Sequence, residues 1–134
     1  MAKIILAEDD GDMRRFLVKA LQNAGYEVIS FDNGLSAYQR LREEPFELLL
    51  TDIVMPEMDG IDTMRAIRRL PQFNQLPIIA VTAKAMKGDR EKCIEAGAWD
   101  YLSKPVDTEQ MLAVLRAWLH CPRSAGVAAL TVEA

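Results

Sequence analysis

Four short apolar runs in this 134-residue chain end in side chains that can do chemistry. Lys3-Ile4-Ile5-Leu6-Ala7 runs into Glu8-Asp9-Asp10. Glu47-Leu48-Leu49-Leu50-Thr51-Asp52 ends in a carboxylate, Ile78 to Thr82 ends in a hydroxyl, and Trp99 to Ser103 runs into Lys104-Pro105. Carboxylate oxygens are hard ligands that suit Mg²⁺, which takes one or two protein carboxylates and keeps several waters. Crowded carboxylates repel one another unless a cation lies between them. An aspartate can also attack phosphorus and carry the phosphoryl group as an aspartyl phosphate. That transfer needs mainly positioning and charge neutralisation, which a metal and one ammonium supply, while a hydroxyl can donate to a phosphoryl oxygen. If the four ends converge, they make a Mg²⁺ and phosphoryl site.

Convergence requires strands that run the same way. The chain alternates apolar runs with helix-period segments five times. Strands are expected over Lys3–Glu8, Glu27–Phe31, Glu47–Asp52, Ile78–Thr82 and Trp99–Ser103. Between them, Met13, Phe16, Leu17, Ala20, Leu21 and Ala24 follow the i, i+3, i+4, i+7 spacing of one helix face. Leu35, Tyr38 and Leu41 mark a second helix, Ile61, Met64 and Ile67 a third capped by Asp59, and residues 84–96 a fourth. Met111, Leu112, Leu115, Trp118 and Leu119 stripe the last, with Asp107 and Gln110 resembling a capping box. Gly25 and Gly97 stand where left-handed helix ends are expected. Such a (βα)5 pattern implies an α/β, doubly wound parallel five-stranded sheet covered on both faces. Ligands in that architecture bind beyond the carboxyl ends of the strands, at the point where strand order reverses.

Composition narrows the function. Half the residues are hydrophobic, 27% are charged and the formal net charge is −4, so no general attraction to nucleic acid or anionic membrane is expected. Two cysteines, Cys93 and Cys121, and a single histidine, His120, offer neither a disulfide scaffold nor a zinc site. The N-terminal apolar stretch is too short for a signal peptide, and no apolar run reaches membrane-spanning length, so the expectation is a cytoplasmic protein. Residues 1–121 are read as one domain and residues 122–134 as a loose tail without room for an output domain.

Glu8-Asp9, Asp52 within Thr51-Asp52-Ile53-Val54-Met55-Pro56, Asp59-Gly60, Thr82-Ala83, Tyr101 and Lys104-Pro105 together resemble a response-regulator receiver domain of two-component signalling. The resemblance spans residues 3 to about 121. It implies a flavodoxin-like fold with strand order 2-1-3-4-5, as in the chemotaxis receiver. It implies that Asp52 is the phosphoacceptor. Asp9, Asp52 and the Val54 carbonyl would bind Mg²⁺, with Glu8 acting through water. Lys104 would pair with the phosphoryl group, Thr82 and Tyr101 would switch with it, and Pro105 would follow a cis bond. The expected partners are a histidine kinase or histidine phosphotransfer protein and a downstream protein effector. The chain would be a monomer or a phosphorylation-dependent dimer, and a phosphoacceptor switch rather than an enzyme. Val54 and Lys84 lie at positions that tune phosphoryl lifetime in the family, and neither suits orientation of an attacking water, so slow self-dephosphorylation is expected.

The residues also admit plainer readings. Asp10 and Asp12 read as a solvated turn that caps or charges the next helix. Trp99 and Trp118 fit core packing as well as the surface of the last helix, fifth strand and fourth helix through which this family commonly meets partners. The first half resembles stand-alone alphaproteobacterial cell-cycle regulators and the second half receivers of hybrid histidine kinases, so an excised kinase domain is one alternative. A pseudo-receiver scaffold is another. A flavodoxin-like electron carrier would need a small polar phosphate loop where Glu8-Asp9-Asp10 stands. A haloacid-dehalogenase-like phosphatase would need an aspartate where Val54 stands.

Overall fold

The computed structural model describes residues 2–53, 60–82 and 89–119. Its elements are β1 (Lys3–Ala7), α1 (Gly11–Asn23), β2 (Glu27–Phe31), α2 (Gly34–Glu43), β3 (Leu48–Asp52) and α3 (Gly60–Arg68). A 3-10 turn (Pro71–Phe73) leads to β4 (Ile78–Thr82), α4 (Asp89–Ala96), β5 (Asp100–Ser103) and α5 (Thr108–Leu119). All strand pairs are parallel and the order is β2-β1-β3-β4-β5, the flavodoxin-like arrangement expected from the sequence.

Side-chain alternation divides the apolar residues between two faces. Ile5, Ala7, Leu49, Ile78 and Ala80 pack with α2, α3 and α4 through Ala37, Leu41, Met64, Ile67 and Cys93. Ile4, Leu6, Leu48, Leu50, Ile79 and Val81 pack with α1 and α5 through Leu17, Leu21, Met111 and Leu115. Burial on both faces is why the central strands read as unbroken apolar runs.

Three strands are one residue shorter than their sequence runs, although each excluded residue still makes a backbone bond to a neighbouring strand. Glu8 N–H donates to Phe31 O at 3.0 Å, Glu47 N–H to Lys3 O at 2.8 Å, and Trp99 N–H to Ile78 O at 2.8 Å. Among the apolar residues assigned to helix faces, Phe16 is 50% and Leu35 39% exposed, and Ala24, which falls at the cap just past α1, is exposed too. The buried stripe of α1 runs through Met13, Leu17, Ala20 and Leu21, and that of α2 through Gly34, Ala37 and Leu41, leaving Phe16 and Leu35 outside.

The helix ends follow local chemistry. Asp10 Oδ1 accepts from the backbone N–H groups of Asp12 and Met13 at 2.9 and 3.1 Å, capping α1. Asp107 Oδ1 does the same for α5, from Glu109 and Gln110. Gly97, at φ +123°, follows α4 as expected, and its carbonyl accepts two bonds from the Arg68 guanidinium. Trp99 and Trp118 pack together, ring centres 5.3 Å apart and tilted 57°, and Trp118 Nε1 donates to Asp100 Oδ2 at 3.1 Å. Among the described residues no helix is long and apolar enough to cross a membrane.

Candidate functional site

The helices after β1 and β3 lie on opposite faces of the sheet, α1 with the second core and α3 with the first. Between the carboxyl ends of those two neighbouring strands a crevice opens. Alternation decides what enters it. Glu8 continues the Ile4–Leu6 side of β1, Asp52 the Leu48–Leu50 side of β3, and Lys104 the Leu102 side of β5. Lys104 is fixed by its own backbone, whose N–H donates to Thr82 O at 2.7 Å.

These side chains meet. Carboxylate oxygens of Glu8, Asp9 and Asp52 lie within 4.8 Å of one another. Lys104 Nζ donates to Asp52 Oδ2 at 3.0 Å and lies 3.4 Å from Glu8 Oε1. Glu8 and Asp52 are almost fully buried, at 1% and 3% exposure, whereas Asp9 is exposed. Burial, opposed by the Asp10 N–H and reinforced by the neighbouring Asp52 charge, pushes the Glu8 carboxyl up to about 7. Burial lowers the Lys104 ammonium, but the hydrogen bond and charge of Asp52, then of Glu8, outweigh it and hold the group above its ordinary value.

Glu8 Oε2 accepts from Asp10 N–H at 3.2 Å, while Glu8 Oε1 is buried with no hydrogen-bond partner among the described residues. The Lys104 ammonium, 3.4 Å from that oxygen, offsets part of its charge without a hydrogen bond, and a buried carboxylate oxygen lacking a donor remains costly unless a closer cation or water completes it. The donor set, three carboxylates and no nitrogen or sulfur, fits a hard divalent ion such as Mg²⁺. Val54, whose carbonyl the sequence reading added to this set, lies outside the described residues, as do Lys84, Asp59, His120, Cys121 and the tail.

Thr82 and Tyr101 stand on the opposite side of the sheet from Asp52. Tyr101 pairs with Ala80 and packs, half-buried, on the α2–α4 core, and Thr82 follows Ala80 by two residues on that same face. Thr82 Oγ1 donates to Leu102 O at 3.4 Å. The Lys104–Pro105 peptide is cis.

The sequence reading missed Arg14 altogether and, for Gly60, saw the turn but not the close approach. Arg14 Nη1 donates to Glu8 O at 2.9 Å, so α1 grips the backbone that aims Glu8 and Asp9. A Cβ on Gly60 would stand 2.2 Å from Asp52 O and 2.5 Å from Ile53 Cα, so α3 can start against β3 only because residue 60 has no side chain. Asp59-Gly60 is visible in the sequence as a turn, but this close approach is not, and nothing local marks Arg14.

A doubly wound parallel sheet with carboxylates and a lysine gathered at its switch point defines a class of α/β proteins with an acidic crevice. The family model for the response regulator receiver domain matches residues 4–116, and the chain belongs to that family. It is 56% identical over 106 residues to the response regulator receiver protein CpdR of Brucella abortus, covering 78% of this chain and 86% of that protein. It is 42% identical over 112 residues to the signal transduction histidine-protein kinase BarA of Escherichia coli, covering 83% of this chain but 12% of the kinase. Relatives of both kinds suggested by the two halves of the sequence are thus present. Among solved structures, the receiver domain of sensor histidine kinase PA1611 from Pseudomonas aeruginosa, with a magnesium ion coordinated in its active-site cleft, superposes with a TM-score of 0.84. That pair is 33% identical, covering 89% of this chain and 98% of the other.

Proposed function

We propose that this receiver accepts a phosphoryl group on Asp52 from a phosphohistidine of a histidine kinase or phosphotransfer protein and thereby changes a protein-binding surface. One observation carries the reading. The Asp52 carboxylate sits within 4.8 Å of the oxygens of Glu8 and Asp9, and its Oδ2 is held by Lys104 at 3.0 Å. In the transfer, an Asp52 oxygen forms the new bond to phosphorus as the phosphorus–nitrogen bond breaks. The electron pair returns to the imidazole nitrogen, which takes a proton from solvent. Bound Mg²⁺ would supply charge neutralisation for the crowded carboxylates and the incoming phosphoryl oxygens. Asp9 and Asp52 would hold it, with Glu8 acting through water and the Val54 carbonyl completing the protein ligands. Lys104 keeps the acceptor oriented and then pairs with the phosphoryl group. Thr82 turns its hydroxyl toward that group, and Tyr101 follows on the same face of the sheet.

On this reading the chain is a switch and not a catalyst that turns over. It works in the cytoplasm beside its phosphodonor, and signals to a downstream protein as a monomer or a phosphorylation-dependent dimer. Residues 1–121 form the receiver unit, and residues 122–134 a tail to it. The loss of the phosphoryl group is slow, since neither Val54 nor Lys84 is the acid or amide side chain best suited to orienting an attacking water. The test is to incubate the protein with Mg²⁺ and acetyl phosphate and weigh the intact chain, with Asp52→Asn in parallel. A phosphoryl adduct absent from the variant supports the reading. No adduct on the unaltered chain, with acetyl phosphate or with a panel of phosphorylated kinases, overturns it.

A further inference from the structure

The groove between α1 and edge strand β2 has the opposite charge to the rest of the chain. It encloses about 440 Å³, and Arg14, Arg15, Val18, Lys19, Gln22 and Ser30 line it. Three of its lining residues are cations and none is an acid, although the chain carries a net charge of −4. The opening has a local cause. Val28 packs into the core beneath α1, and Ser30, next along that face of β2, is too small and polar to fill the same space.

The cations are available to a ligand. Arg14 is anchored through one nitrogen on Glu8 O. Arg15 pairs with Asp12, but both side chains are mostly in water, where such a pair holds weakly and exchanges partners. Lys19 is exposed and has no ion-pair partner among the described residues.

The strand beside them is also open. Among the described residues β2 pairs only with β1. Glu27 N–H and Phe31 C=O point toward the β1 side, bonding Ala2 O and Glu8 N–H. Strand residues alternate, so Val28 and Ser30 turn their N–H and C=O groups to the free edge, a template for another strand.

We propose that this groove docks an extended acidic segment of a partner protein, laid along β2 with its carboxylates on Arg15 and Lys19. Main-chain pairing on the edge supplies affinity, and the cations select the sequence. Charge at such a rim also makes association sensitive to salt. The proposal is independent of the role assigned to Asp52.

A fluorescent ten-residue peptide alternating glutamate and valine is the probe, with a lysine–valine peptide and an oligothymidine strand as comparisons, read by anisotropy. The acidic peptide should bind, and binding should weaken about tenfold as salt is raised toward molar. Arg15→Glu with Lys19→Glu should weaken it about tenfold or more. Ser30→Pro removes an outward N–H, which an edge strand tolerates, and should weaken it several-fold without unfolding the protein. Arg42→Glu, a charge reversal on α2 away from the groove, should leave affinity unchanged. Thermal unfolding checks that each variant folds. Absence of acidic-peptide binding, unchanged affinity in either groove variant, or tighter binding of the lysine peptide or the oligothymidine overturns the proposal.

Discussion

Glu8→Gln should stabilise the protein in the presence of a chelator at alkaline pH and leave it nearly unchanged in acid. Glu8 is 1% exposed, one of its oxygens has no hydrogen-bond partner among the described residues, and burial lifts its carboxyl from 4.5 to about 7. Because each pKa unit corresponds to about 1.4 kcal/mol, the ionised side chain costs the folded state about 3 kcal/mol. The folded protein binds this proton more tightly than the unfolded chain does. The stabilisation from Glu8 is therefore complete below pH 4.5, is lost as pH rises from there through about 7, and changes no further above. Glutamine keeps an acceptor for the Asp10 N–H and leaves the Lys104–Asp52 bond in place, but has no proton to lose. Urea unfolding at about pH 5 and about pH 8.5, with chelator, should show the variant ahead by about 3 kcal/mol only at the higher pH. Magnesium should then narrow or reverse the gap, since it stabilises only a site that keeps its charge. Parallel pH curves for the two proteins, or a wild type ahead at high pH in chelator, would refute the burial argument.

Lys104→Met should leave Glu8 and Asp52 buried without their cation. Breaking a buried pair costs about 3–5 kcal/mol, and a quarter-exposed lysine should give about 2–3. Urea midpoints with and without Mg²⁺ check this, and Mg²⁺ should recover part of the loss. Gly60→Ala forces a methyl group against the Asp52 and Ile53 backbone, so it should cost about 1–3 kcal/mol. It should also slow acetyl phosphate labelling, measured by intact mass over time.

The alternation of apolar runs and amphipathic segments made the five strands and five helices legible, because the central strands β1, β3 and β4 are buried on both faces. The chemistry at the strand ends was legible for the same reason: a carboxylate that interrupts an apolar run marks where burial stops. What escaped depends on tertiary placement. Phe16 and Leu35 satisfy a helix period yet fall outside stripes fixed by which face of the sheet each helix covers. Arg14 reaches a carbonyl six residues away around a helix start, and no motif encodes that reach. Glu8 reads like its neighbour Asp9, but one is buried and the other exposed, because alternation turns only Glu8 inward. The cationic groove needs α1 and β2 side by side before Arg15, Lys19 and Ser30 share a wall.

The same alternation separates the reacting groups from those proposed to respond. Glu8, Asp52 and Lys104 follow the residues that face α1 and α5, whereas Thr82 and Tyr101 follow those that face α2, α3 and α4. A charge added at Asp52 would therefore have to reach the other face around the strand ends rather than through the packed sheet. On the proposed reading Thr82 would carry it, since it ends β4, pairs in register with Ser103, and accepts the Lys104 N–H on its carbonyl. Its hydroxyl is held by one bond of 3.4 Å, at the long limit for an O–H donor. Giving up so long a bond costs no more than about 0.5–1 kcal/mol, which a new charge-assisted bond to a phosphoryl oxygen would exceed. Rotation of Thr82 would then vacate space beside Tyr101 on the α4 side, where a surface change can be presented to a partner. Thr82→Val tests this directly. It removes the donor while keeping the shape, so phosphorylation of Asp52 should persist by mass while phosphorylation-dependent changes in Tyr101 NMR shifts disappear. Phosphorylation-dependent changes in Tyr101 shifts that persist in that variant would show that the two faces communicate by another route.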